Sequence, residues 1–225
     1  MFRIILVCCF FVLVFFAFSQ KIFAHEDLSM PEVSDPQVNE ALERTSALRF
    51  APGSRLSKLI VVKESFTHFF KPSSAKKAEY DLRISGKRLK EAYILTNDAK
   101  INKATRSLNS YSKIVKRMTD ELARARSQNQ DITTLIGITA DVLKYHEILL
   151  AKIYFISEED NNHYIALVDA IESFKKAVTS IDLIQPGLAD RFESAGKQYE
   201  IIEVPISESP SPAATFGASP KIIIR

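Results

Sequence analysis

Apolar side chains recur every third or fourth position from residue 78 to residue 181, the spacing that lines one face of an α-helix. The plainest stretch holds Ile101, Ala104, Leu108, Tyr111, Val115, Met118, Leu122 and Ala125, set among Lys100, Lys103, Arg106, Lys113, Lys116, Arg117, Asp120, Glu121 and Arg124. It reads as a narrow apolar seam on a charged cylinder. Upstream, Ala78, Leu82, Ser85, Leu89, Ala92 and Thr96 repeat the spacing more weakly. Downstream, Ile132, Leu135, Thr139, Val142, His146, Leu149, Ile153 and Ile156 repeat it, in a stripe widened by Ile136, Leu143 and Leu150. Tyr164, Leu167, Ile171, Phe174, Val178 and Ile181 repeat it once more. The pattern predicts four helices, each presenting one stripe.

Helix breakers agree with this reading. Prolines stand at 31, 36, 52 and 72 and then not until 186, and only Gly86 and Gly137 interrupt the 113 residues between. Such a run, rich in Ala, Leu, Lys, Glu and Arg, favours helix throughout. The predicted connections are short: Asn97-Asp98, then 127–130 with Asp131 as a cap, then 158–162. Short connections favour antiparallel neighbours. The predicted fold is therefore all-α, an elongated antiparallel up-and-down bundle of four to five long helices, the longest near 98–127 and about 45 Å long at 1.5 Å per residue. An extended coiled coil is the alternative, but the third stripe is too wide for a two-stranded seam.

Flanking segments complete the organisation. Pro52-Gly53-Ser54 marks a turn, with Ser54 placed to cap a helix that ends in Phe66, Phe69 and Phe70 before Pro72. Packing over the bundle end is the expected role of those aromatics, and a seat on a membrane surface is the alternative. Beyond Pro186-Gly187, the amphipathic stretch 188–199 suits a cap on the bundle. Residues 4–18 form an unbroken apolar run behind Arg3, shorter than the roughly 20 residues of a membrane-spanning helix. Residues 1–24 are therefore expected to be a signal peptide or an uncleaved anchor, followed by a polar spacer over 25–49 with one short helical stretch near 38–48. The bundle domain is placed at 50–203, and a disordered Pro- and Ser-rich tail at 204–225.

Composition sharpens this picture mainly by exclusion. Both cysteines, Cys8 and Cys9, lie in the apolar leader, which also holds 7 of the 15 Phe. The exported part thus offers no disulfide, thiolate ligand or cysteine nucleophile. Without residues 1–24 the chain carries 28 basic and 27 acidic residues, which gives no polyelectrolyte signal for nucleic acid. The six glycines form no phosphate loop and no nucleophile elbow.

Candidate chemistry is sparse. His146-Glu147 opens like the zinc signature H-E-x-x-H, but Leu150 stands where the second imidazole is needed, so no metal site is expected. His146 lies on an apolar seam and is the single polar-core or sensing candidate. His25 beside Glu26 and Asp27 and the acidic turn at 158–160 are both expected to be solvated. Carboxylates are read as lying on charged helix faces, where no raised pKa makes an acid or base. Lys76, Lys77, Arg83, Lys87, Arg88 and Lys90, mixed with acids, are read as one solvated face, with a contact for anionic envelope polymers or lipid headgroups as the alternative. No catalytic residue and no cofactor site is expected.

One resemblance adds to this reading. Pro52-Gly53-Ser54, Leu56, Leu59, Lys63-Glu64, the Phe-rich end, Lys76-Lys77-Ala78-Glu79, Leu82, Arg88-Leu89 and Glu91-Ala92 resemble the opening of an uncharacterised family of exported prokaryotic helical domains, domain-of-unknown-function family five-six-six-seven. Lys144-Tyr145-His146-Glu147-Ile148-Leu149 is similar to a later helix of that family, and the likeness covers about 50–181. Ser57, Lys58 and Ile60 depart from the family pattern. The resemblance implies an extracytoplasmic helical module and names no catalytic residue. The expectation is an exported, non-enzymatic interaction or structural module of the cell envelope, periplasmic or cell-surface. Its partner would be another protein or a second copy, with membrane contact only through an uncleaved 4–18 segment. An envelope sensor of metal or pH, built on His146 and nearby carboxylates, is the alternative.

Overall fold

In the computed structural model, residues 30–48, 57–157 and 160–196 are described. The apolar run at 4–18, His25, Ser54, the acids Glu158 and Glu159 and the tail at 204–225 lie outside them. The described residues are all-helical. They form α1 (Asp35–Arg44), α2 (Ser57–Phe69), α3 (Ser74–Asn97), α4 (Ile101–Ser127), α5 (Thr133–Ile156), α6 (Asn161–Ile184), a 3₁₀ turn (Ala189–Arg191) and α7 (Glu193–Gly196). No helix among them is long and apolar enough to cross a membrane.

The seams read from the sequence become the core. Ala104, Leu108, Tyr111, Val115, Met118, Leu122 and Ala125 of α4 are all buried, as are Leu167, Ile171, Phe174, Val178 and Ile181 of α6. The widened stripe of α5 buries Ile136, Leu143, Leu149, Leu150 and Ile153. Its width is explained by its neighbours, since α5 packs against α1, α3 and α6 together.

Two helix ends show how a glycine-poor chain turns. Lys100 N–H bonds to the Leu95 carbonyl and Ala99 N–H to that of Thr96, while Gln130 and Asn129 repeat the arrangement on Ala125 and Arg126. These paired bonds are Schellman caps. They require a left-handed residue, supplied here by Ala99 (φ 54°) and Asn129 (φ 52°) instead of glycine.

The packing order differs from the chain order. α3 packs on α4 and α5, and α6 packs on the same two helices. Thr105 at the start of α4 meets His163 at the start of α6, and Arg126 near the end of α4 bonds to the Leu183 carbonyl near the end of α6. Those two helices therefore run parallel. Arg117 bonded to Asp81 sets α3 and α4 antiparallel. The short α4–α5 link does not make these helices principal neighbours, because they stand diagonally across the bundle, each flanked by α3 and α6.

Within the stretch expected as a polar spacer, α1 contributes to the core. Val38 and Ala41 are buried, and α1 lies antiparallel along α5 through Asp35 with Lys152 (2.8 Å) and Glu40 with Tyr145 (3.5 Å). After Gly187 the chain folds back onto the α5–α6 face. Phe192 meets the Phe174 ring edge-on at 5.8 Å, and the Ser194 N–H and hydroxyl both donate to buried Glu147.

Candidate functional site

His146 sits on the inner face of α5 with no solvent exposure. Across the core, the Tyr111 hydroxyl lies 3.4 Å from His146 Nδ1, and the two rings stack edge-on at 5.5 Å. Burial raises the Tyr111 pKa, so its hydroxyl keeps its proton. Nδ1 is the one acceptor near that hydroxyl among the described residues, so we assign the hydroxyl as donor to Nδ1 and the ring proton to Nε2. Nε2 is buried and has no hydrogen-bond partner among the described residues. Burial also pushes the imidazole pKa down to about 3, so the ring is neutral at physiological pH.

What faces Nε2 is Gly86 of α3. A Cβ there would stand 3.1 Å from Nε2 and 3.8 Å from Thr45 Cγ2. Helix-interior Gly→Ala usually gains up to about 1 kcal/mol. Gly137, with nothing within 4 Å of its Cβ position, should show that gain. Gly86→Ala should not, because the new methyl crowds a buried ring; a loss of about 1 kcal/mol is expected. Paired urea melts of the two variants check this, and an equal gain at both positions would contradict the geometry.

Glu147, the carboxylate beside His146 in sequence, turns away from it to Ser194. Among the described residues no three His, Cys, Asp or Glu side chains are placed to hold a metal ion. His163 is buried too, with Nδ1 3.2 Å from the Thr105 hydroxyl and Nε2 3.1 Å from that of Ser157. Burial lowers its pKa, opposed by Asp160.

The reading that carboxylates lie on charged outer faces is corrected by the structure. Asp81, Glu91, Glu121 and Glu147 are all buried. Asp81 takes both Nε (2.7 Å, on Oδ2) and Nη2 (2.5 Å, on Oδ1) of Arg117, and His68 Nε2 stands 3.2 Å from the same Oδ2. Desolvation lowers the His68 pKa, with Asp81 opposing. The basic cluster of α3 is likewise divided. Arg88 is buried between Glu64 and Glu91, while Lys90 donates to the Leu42 carbonyl. A pattern of mixed charges hid these pairs because each partner comes from another helix or turn.

Those buried pairs orient α2. Glu64 and His68, one turn apart, face α3, where Glu64 pairs with Arg88 and the His68 ring stands against Asp81 without a hydrogen bond. The opposite face is then turned outward. Val62, Phe66, Phe69 and Phe70 are 56%, 63%, 74% and 73% exposed, so the aromatics do not pack over the bundle. The reason is electrostatic: the helix is held by its polar face because the groove it meets contains a buried cation and a buried carboxylate.

Residues 49–143 match the model of a family described as a domain of unknown function (DUF5667). It is the family that residues 52–92 resemble. The match ends before 144–149, so His146 lies outside it. No curated protein and no solved structure matches the chain.

Proposed function

We propose that this chain is an exported, non-enzymatic module of the cell envelope, an elongated up-and-down bundle of four long helices that works by contact, with α2 as its contact surface. One observation carries the reading: α2 shows its apolar face to solvent and its polar face to the protein. An outward cluster of three Phe and a Val is costly unless something covers it. A lipid surface suits it best. The Phe side chains form one stripe, Lys63 stands exposed within the helix, and the chain carries an apolar leader 48 residues before Phe66. Burial of His146, which stays neutral near pH 7, and the turn of Glu147 away from it to Ser194 favour contact over metal or pH sensing.

The chain has no Trp, so a single one reports on its own position. In the full chain reconstituted into phosphatidylglycerol-containing vesicles, Phe66→Trp or Phe69→Trp emission should shift to the blue and be quenched by brominated acyl chains. Leu183→Trp, at an exposed site on α6, should stay unquenched. Aqueous emission from all three would overturn the lipid seat even if the leader tethers the protein to the vesicle.

A further inference from the structure

Beside His146 lies a groove of about 480 Å³ between α3, α5 and the end of α1. Its inner wall is made by Leu82, Gly86, Val142 and His146. Its rim carries four cations, Arg44, Lys71, Lys76 and Arg83, against one carboxylate, Glu79. Among the described residues, Lys76 alone of the four is neutralised at close range, by Glu79 at 2.8 Å. Arg44 has Glu40 no nearer than 4.0 Å, and Lys71 and Arg83 both lie over the Tyr80 ring, 5.3 and 5.1 Å from its centroid. A concave site with an apolar floor and an excess of fixed positive charge concentrates anions.

The floor adds a second, independent feature. A buried polar atom without a partner costs about 1–3 kcal/mol, and native cores rarely carry one without a reason. His146 Nε2 is such an atom, and its proton is fixed there because Tyr111 occupies Nδ1. Gly86 supplies no side chain to cover it. His146 lies in the groove floor with its donor against Gly86, and an oxyanion is the group complementary to it.

We infer that this groove is a binding site for a phosphate group on a small molecule or a lipid headgroup. His146 Nε2–H and the Arg44 and Arg83 guanidiniums would engage the oxygens, and Val142 and Leu82 would pack the attached apolar part. Arginine suits this task because its planar fork places two donors on neighbouring oxygens. The site is separate from the outward face of α2 and does not depend on the lipid seat proposed for it.

The test is a titration of the full chain with inorganic phosphate and with glycerol phosphate, followed through the His146 ring resonances at constant ionic strength in chloride. A saturable shift is expected in wild type, and Arg44→Gln/Arg83→Gln should weaken it by at least about tenfold. Both arginines are exposed, so the double variant should keep its melting temperature. A second arm uses phosphatidylglycerol vesicles: a His146 shift there and not with the soluble phosphates assigns the site to headgroups. No saturable shift in either arm, or equal affinity in the double variant, would overturn the inference. Because the readout is the His146 ring and not Trp depth, failure here leaves the α2 reading standing, and the reverse.

Discussion

Lowering the pH from 6.5 to 4 should cost this protein about 3 kcal/mol through His146 alone, at roughly 1.4 kcal/mol per pH unit. The imidazole, ordinarily near 6.5, is held down to about 3 by burial. Below 6.5 the unfolded chain takes up a proton that the folded chain refuses, so stability is full above that value and falls as the pH drops toward 3. The direction is the same for His68 and His163, whose pKa values are lowered by burial with smaller opposing effects from Asp81 and Asp160. Against a total stability of some 5–15 kcal/mol, a loss of this size is decisive. Urea denaturation at a series of pH values measures it. In Tyr111→Phe/His146→Leu, where the hydroxyl and the ring that accepts from it are removed together, the acid slope should flatten. An unchanged slope would show that His146 protonates freely and is not enclosed as described.

The second large effect is expected at Phe174. Its ring has no exposure and meets Phe192 edge-on. Phe174→Ala should cost about 3–5 kcal/mol through lost burial and the cavity left behind. For a domain of this size that corresponds to a fall in melting temperature of roughly 10 °C or more. It should also loosen the returning segment, because Leu188 and Phe192 seat that segment in the core beside α6. Limited proteolysis between Gly187 and Gly196 should therefore accelerate in the variant. Phe174→Ala and Phe192→Ala should be less than additive, as the two rings share one contact. A loss below 1 kcal/mol would mean that the segment does not close the core.

The seams and the buried core of α4 and α6 were legible because helical periodicity is local: spacing alone places residues on one side of a cylinder. His146 was legible as a polar residue on such a seam, and its burial follows. Gly86 was not. It read as a break in a helical run, and its role depends on which residue of another helix faces it. The outward Phe face of α2 was hidden for a similar reason. Phe66, Phe69 and Phe70 look like core residues until Arg88 and Asp81 are seen to claim the opposite side of the helix. The buried acids were misjudged because burial of a charge depends on a partner, and Asp81 finds Arg117 36 residues away.

By itself the sequence determined that the chain is helical, where its long helices lie and which side of most of them is buried. These properties arise from contacts within four residues along the chain. Only the tertiary structure decided that α3 and α6 are each flanked by α4 and α5, that α1 joins the core, that α2 docks by its polar face, and that an unpaired histidine donor stands at the floor of a cationic groove. Each of those depends on complementarity between distant surfaces, in shape and in charge, which no spacing along one helix encodes.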